Sequence, residues 1–321
     1  MKRAALILGV FSLLVVTVAF SRQSPSAPVA AESPANVVIR VDERNPWSHL
    51  RFNNDREQFQ FAVVSDRTGG HRAGVFSRAV EQINLMQPEF VVSVGDLIEG
   101  YSANVDRVTK EWQEFDGYTQ RLQMPFFYIP GNHDLSNPSM AKVWEGRFGR
   151  RYFSFVYQNT LFLLLCSEDP PGSNSISAEQ HAFIKKTLAE TPDVKWTVVA
   201  LHKPIWTATN LETNGWLEVE RMLSGRPYTV FAGHVHRYEK FIRNGMNYYQ
   251  LATTGGGSRL RGVKEGEFDQ IVWVTMKKDG PTIANIMLEG ILPENLKMPE
   301  SVETGLPDPR TLLKKEEAPA P

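Results

Sequence analysis

Five times along this chain an apolar run of strand length ends in a residue able to bind a metal ion or move a proton. Residues 61–65 run into Asp66, residues 91–95 into Asp96, and residues 126–130 into Gly131-Asn132-His133-Asp134. Residues 196–201 run into His202, and residues 228–232 into Gly233-His234-Val235-His236. Such runs alternate with helical patterns, the signature of an α/β arrangement. Open α/β sheets place ligands beyond their strand ends, so these five ends can converge on one site.

The residue types agree on one chemistry. Carboxylate, carboxamide oxygen and imidazole together suit borderline divalent ions such as Mn, Fe or Zn, whereas Ca prefers oxygen alone. Two ions about 3.5 to 4 Å apart, bridged by one carboxylate, would clamp a phosphate and generate hydroxide at neutral pH.

Local pattern places two helices between the runs. Phe76, Ala79, Val80, Ile83 and Met86 fall at helical spacing after Gly74, and Pro88 closes the segment. A second helix starts at Ser177, with Gln180 three residues on completing a capping box and Ile184 and Leu188 marking its buried face. His181 lies on that face and reads as a satisfied core histidine. Asn137 and Pro138 suggest a further helix start, with Asp134 in the turn or cap before it.

The ends of the chain read differently. Lys2 and Arg3 precede residues 4–20, an apolar run free of charge, and small residues offer cleavage points after Ser21 or Ala31. Residues 1–21 are therefore expected to be a signal peptide or N-terminal anchor, with export to the periplasm or medium. Residues 22–55 form a linker and entry segment, rich in Pro, Ala and Ser up to about residue 46, and 292–321 a Pro- and charge-rich flexible tail, leaving 56–291 as the folded domain. With 35 Lys+Arg against 36 Asp+Glu, no basic field exists to hold nucleic acid in general. Membrane contact is expected only if the first segment is retained. The single cysteine, Cys166, rules out an intrachain disulfide and reads as core packing.

Gly95-Asp96, Gly131-Asn132-His133-Asp134, His202 and Gly233-His234-Val235-His236, in this order on strand ends, resemble the calcineurin-like metallophosphoesterase superfamily over roughly residues 59–258. The resemblance implies a four-layer α/β/β/α fold, two mixed β-sheets packed together with helices outside. It implies that Asp66 and His236 serve a first metal ion, Asn132, His202 and His234 a second, and that Asp96 bridges them. His133 would protonate the leaving group while metal-bound hydroxide attacks phosphorus in line. The implied function is hydrolysis of a phosphomonoester or phosphodiester, with a small phosphoester or a phosphoprotein as substrate. The alternative is a degenerate member acting as a non-catalytic binding module.

Two departures from the family pattern matter. Its first motif is Asp-x-His, but this chain has Asp66-Arg67-Thr68, so an imidazole ligand is missing and one ion instead of two is conceivable. His71, after Gly69 and Gly70, is open to three readings: replacement ligand, phosphate contact or ordinary loop residue. After Asp96 the sequence continues Leu97-Ile98-Glu99-Gly100-Tyr101, without the arginine of the Ser/Thr protein phosphatases. Glu99 stands where that pattern has an aspartate that orients the catalytic histidine; it either holds His133 or is a solvated loop carboxylate. Arg67 and Arg237 are candidate phosphate-binding side chains, because guanidinium matches phosphate oxygens bidentately. The segment Thr253-Thr254-Gly255-Gly256-Gly257-Ser258 resembles a loop near the site. Tyr101, Trp112 and Trp206 are aromatic residues open to pocket or packing roles.

Overall fold

In chain order the strands are β1 (Phe59–Val64), β2 (Phe90–Ser93), β3 (Phe126–Phe127), β4 (Phe153–Tyr157), β5 (Thr160–Leu164), β6 (Trp196–Ala200), β7 (Tyr228–Ala232), β8 (Glu239–Arg243), β9 (Met246–Gln250), β10 (Gln270–Lys277) and β11 (Gly280–Met287). The α-helices are α1 (Val75–Met86), α2 (Val105–Thr119), α3 (Pro138–Phe148), α4 (Ala178–Glu190) and α5 (Trp216–Met222). The computed structural model describes residues 57–288 except Asn210, together with Ser48 and Gly290. The expected signal or anchor, the flexible tail and the entry segment apart from Ser48 lie outside the described residues. No helix among the described residues is long and apolar enough to cross a membrane.

The strands form two mixed sheets, ordered β11-β10-β1-β2-β3 and β4-β5-β6-β7-β9-β8. The chemistry-bearing strands β1 and β2 run parallel, as do β6 and β7, so their C-terminal ends emerge on one side of each sheet.

Period-two alternation sorts the side chains into layers. From β1, Phe59, Phe61 and Val63 join Phe162, Val198 and Phe231 of the second sheet in one buried cluster, the seam between sheets. Ala62 and Val64 point the other way, onto Phe76, Val80 and Ile83 of α1, Trp112 and Phe115 of α2, and Trp144 of α3. On the outer face of the second sheet, Val199, Val230 and Tyr248 pack on Ile184 and Leu188 of α4 and Trp216 and Val219 of α5. These three clusters separate four layers, α/β/β/α, as the resemblance implied. Burying one large apolar side chain contributes roughly 1.5–3 kcal/mol, so the aromatic seam is a principal source of stability.

The local readings fare unevenly. Helix α1 begins after Gly74 and ends before Pro88. Ser177 caps α4 by accepting the Gln180 N–H at 3.1 Å. The reciprocal half of the capping box does not form: the Gln180 amide instead pairs with both the N–H and the carbonyl of Cys166, each at 2.9 Å. Cys166 itself is fully buried, and burial pushes its thiol pKa up. His181 donates through Nε2 to the Gly215 carbonyl, 2.9 Å away. The run 126–130 forms only a two-residue strand, because Pro130 brings no N–H and the Ile129 N–H goes to the Ser93 hydroxyl at 3.0 Å.

Candidate metal centre

Among the described residues, two groups of acidic and imidazole side chains gather at the strand ends: Asp66, Asp96 and His236 in one, and Asp96, His202 and His234 in the other. Within each group the ligand atoms lie within 4.8 Å of one another. Asp96 belongs to both. His202 Nε2 is the focus of the second group, 3.2 Å from Asp96 Oδ2, 2.9 Å from Asn132 Oδ1 and 3.2 Å from His234 Nδ1. In the first group His236 Nε2 lies 3.3 Å from Asp66 Oδ1. His133 overlooks both, its Nε2 4.0 Å from Asp96 Oδ2.

Backbone bonds between distant segments hold this arrangement. His202 Nδ1 meets the Val94 carbonyl at 2.9 Å, and His236 Nδ1 meets the Gly257 carbonyl at 2.6 Å. His133 Nδ1 meets the Glu99 carbonyl at 2.6 Å. A carbonyl only accepts, so each Nδ1 is the donor and each Nε2 is left to face the site, the tautomer a metal ligand needs. Asp66 Oδ1 accepts the His234 N–H at 2.8 Å, and Asp96 Oδ1 accepts the His133 N–H at 2.9 Å.

The fold accepts backbone strain here. Asp96, His234 and His236 have φ of 57°, 73° and 58°, in the left-handed region that non-glycine residues avoid. Each such residue costs on the order of 1–3 kcal/mol and persists where surrounding bonds over-determine it. Gly131 is required for a different reason: a Cβ there would sit 2.2 Å from Asp96 Oδ1.

Charge balance indicates that the donor set fits a cation. Burial opposes ionisation of Asp66, yet His236 and His202 hold its carboxyl well below the usual carboxylate range. Burial likewise opposes a charged His202, but the Asp96 carboxylate raises its pKa to about 9. Burial and the charge on His202 push His234 down to about 4. A proton on His202 Nε2 thus sits among Asp96, Asn132 and His234, a position whose oxygen and nitrogen donors equally suit a divalent ion.

Asp134, expected as a turn or cap residue, supports the site from behind. Its buried carboxylate accepts the N–H groups of Asp96, Leu97, Ile98 and Gly131 at 2.9, 3.0, 3.2 and 2.8 Å. Burial and the nearby Asp96 push its pKa up to about 7, against four donors that favour the ionised form. The cap of α3 falls to Asn137, whose Oδ1 accepts from Ser139 and Met140 N–H groups. Sequence reasoning also passed over Glu168 and Lys203, a buried ion pair at 2.5 Å beside the second group. An acid three residues past an apolar run, and a lysine directly after His202, were the available signals.

Four of the candidate residues have other partners in the structure. Arg67 does not reach toward substrate: it is buried, donates to the Leu97 carbonyl at 3.1 Å, pairs with Glu114 and stacks over Tyr118 at 4.9 Å. Glu99 does not hold His133 through its carboxylate, which accepts from the His71 N–H at 2.9 Å and meets the His71 ring at 2.8 Å. His71, in turn, is in neither donor group, because that pairing turns its ring to Glu99. Arg237 is exposed and faces Glu239 at 3.3 Å. The glycine-rich segment does approach the site, with Thr254 and Gly256 N–H groups both donating to the Asp66 carbonyl at 3.0 Å. Trp112 and Trp206 are core residues, while Tyr101 is exposed beside His133.

Fold and site together define an α/β/β/α protein that presents carboxylate, amide and imidazole donors for divalent ions on the loops after its strands. Residues 59–238 match the calcineurin-like phosphoesterase family. The chain belongs to that family. Among relatives, it is 31% identical to probable purple acid phosphatase 20 of Arabidopsis thaliana over 41% of this chain and 36% of that protein. It is 23% identical to the 3',5'-cyclic adenosine monophosphate phosphodiesterase CpdA of Haemophilus influenzae over 56% of this chain and 65% of that protein. The matches thus span about a third and just under two thirds of those relatives. In fold it is similar to the purple acid phosphatase PPD1 of yellow lupin, with TM-score 0.57 and 14% identity over 73% of this chain and 52% of that one. It is also similar to GAP50 of Plasmodium, an anchor in the inner membrane complex, with TM-score 0.55 and 14% identity over 73% and 86% of the two chains.

Proposed function

We propose that this protein is an exported, metal-dependent phosphoesterase that hydrolyses a phosphomonoester or phosphodiester. The observation that carries the reading is His133: its Nε2 faces the shared carboxylate Asp96 at 4.0 Å, with two donor groups on either side of that carboxylate. Asp66, Asp96 and His236 would hold one ion, and Asp96, Asn132, His202 and His234 a second; with Thr68 in place of an imidazole, the first is the weaker. Mn, Fe and Zn suit these donors. The bound ions would neutralise phosphoryl charge and lower the pKa of water.

The chain's own part is positioning and proton transfer. His133, its Nδ1 fixed by the Glu99 carbonyl, turns Nε2 toward the shared carboxylate, and as the imidazolium it would donate a proton from Nε2. As water adds to phosphorus and the ester P–O bond breaks, that proton passes to the departing oxygen, assistance worth roughly 10² to 10⁴ in rate. Asp134 holds the Asp96 loop through three N–H bonds and its own loop through a fourth, from Gly131. Relatives named as a phosphatase and as a phosphodiesterase support keeping both ester types in the reading.

Small phosphoesters and phosphoproteins are the proposed substrates, and the balanced charge argues against nucleic acid in general. Export rests on the Lys2-Arg3 start and the apolar run that follows. N-terminal sequencing of protein recovered outside the cytoplasm tests it: a mature chain still beginning at Met1 would leave an anchor as the reading.

The test of activity is metal content per chain together with hydrolysis of mono- and diester model substrates across several divalent ions. Asp96→Ala and His133→Ala are the controls. No retained metal and no hydrolysis above these variants would overturn the proposal in favour of a binding module on the same fold, which has no use for a proton donor at His133.

A further inference from the structure

An asparagine can serve a cation only through its amide oxygen, yet the two ends of the amide are nearly the same in size and shape. What sets the orientation of Asn132 is therefore its partner on the side away from the donor group. That partner is Tyr101, whose hydroxyl accepts the Asn132 Nδ2–H at 2.9 Å. On the inner side Asn132 Oδ1 lies 2.9 Å from His202 Nε2. We propose that Tyr101 is a positioning residue for the second donor group, its hydroxyl turning the Asn132 oxygen inward while its ring braces His133. The proposal rests on the phosphoesterase reading.

Three features of the loop point the same way. The Tyr101 ring meets the His133 ring edge to face, centroids 4.7 Å apart at 89°, so one side chain touches both the amide and the proton donor. The Tyr101 backbone has φ of 47°, a left-handed conformation that an aromatic residue avoids and that strained functional sites retain. Before it, Gly100 is pressed so closely on His133 that a Cβ would fall 1.8 Å from the His133 carbonyl oxygen. The Gly100 N–H is pinned by Glu111 Oε2 at 2.8 Å. The loop thus spends backbone strain to bring Tyr101 over His133 and Asn132, although the residue is 61% exposed and adds little to the core.

Removing the hydroxyl while keeping the ring isolates the effect. Co²⁺ is titrated into the metal-free full-length wild type, Tyr101→Phe, Asn132→Ala and the double variant, following heat and the visible absorption of the bound ion. The expected result is that Y101F binds about 10- to 100-fold more weakly the ion that Asn132→Ala also weakens, the usual effect of losing an outer hydrogen-bond partner. Its thermal midpoint without metal should equal that of the wild type. The double variant should bind no more weakly than Asn132→Ala alone, since the hydroxyl acts through that amide. Unchanged affinity in Y101F, or losses that add in full, would overturn the proposal and leave the phosphoesterase reading standing. A wild type that takes up no ion would defeat that reading first, and this proposal with it.

Discussion

His133 is held by the backbone of Glu99 and not by its carboxylate: the Glu99 carbonyl lies 2.6 Å from His133 Nδ1, while the carboxylate closes on His71 at 2.8 Å. Glu99→Gln should therefore keep the His133 tautomer and lower turnover of a model phosphoester by less than about tenfold, whereas His133→Ala should lower it by roughly 10² to 10⁴. Steady-state kinetics of the two variants side by side check this. Equal losses would return the orienting role to the carboxylate.

The same carboxylate predicts a pH dependence. Burial works to raise the Glu99 pKa, but the Thr68 side chain and then the hydrogen bonds from His71 and Gly70 hold it down to about 2. A carboxyl depressed in the folded state stabilises the fold fully above its ordinary value near 4.5, and that contribution is lost as pH falls toward about 2. Urea denaturation of Glu99→Gln and wild type should show a gap at neutral pH that closes in acid.

Lys203 neutralises a fully buried Glu168 at 2.5 Å and also reaches Asn174 at 2.5 Å. Lys203→Met would leave a buried carboxylate without its counter-charge, at a cost of about 3–5 kcal/mol. The double change Glu168→Gln/Lys203→Met should recover much of that loss. Chemical denaturation of the three proteins is the measurement, and a single variant as stable as wild type would contradict the pairing.

Divalent ions should stabilise the fold, since the donor groups are preassembled only in the native state. At about a hundredfold excess over the dissociation constant the gain is about 2.7 kcal/mol, which raises the midpoint by roughly 5–10 °C in a domain of this size. A chelator should reverse the shift. Asp96→Ala, lacking the carboxylate common to both groups, should show almost none of it.

Much of this site is written locally. Asp66, Asp96, Asn132, His202, His234 and His236 each follow an apolar run, and strand direction alone carries them to a common edge. The alternation in β1 likewise assigns Phe59 and Phe61 to one face and Ala62 to the other by local pattern alone. What the sequence hides is side-chain direction. Arg67 stands next to Asp66 but turns to Glu114, 47 positions away, and nothing near it in the chain announces that partner. Glu99 and His71 are 28 positions apart, and their pairing depends on how two loops meet. Asp134 looked like a turn residue because its four donors are spread over Gly131 and the distant residues 96–98. Tyr101 carries no motif at all; its place shows only in the distance to Asn132.

The bond from His202 Nδ1 to the Val94 carbonyl joins the end of one sheet to the end of the other, and Asp66 accepting the His234 N–H does the same in the opposite sense. These side chains are rivets as well as members of the donor groups. In a lineage that gave up hydrolysis, selection for a folded chain would still preserve His202 and Asp66, so their persistence would record architecture. His133 and Tyr101 fasten neither sheet to its neighbour, and they are the positions where the loss of chemistry would first be written.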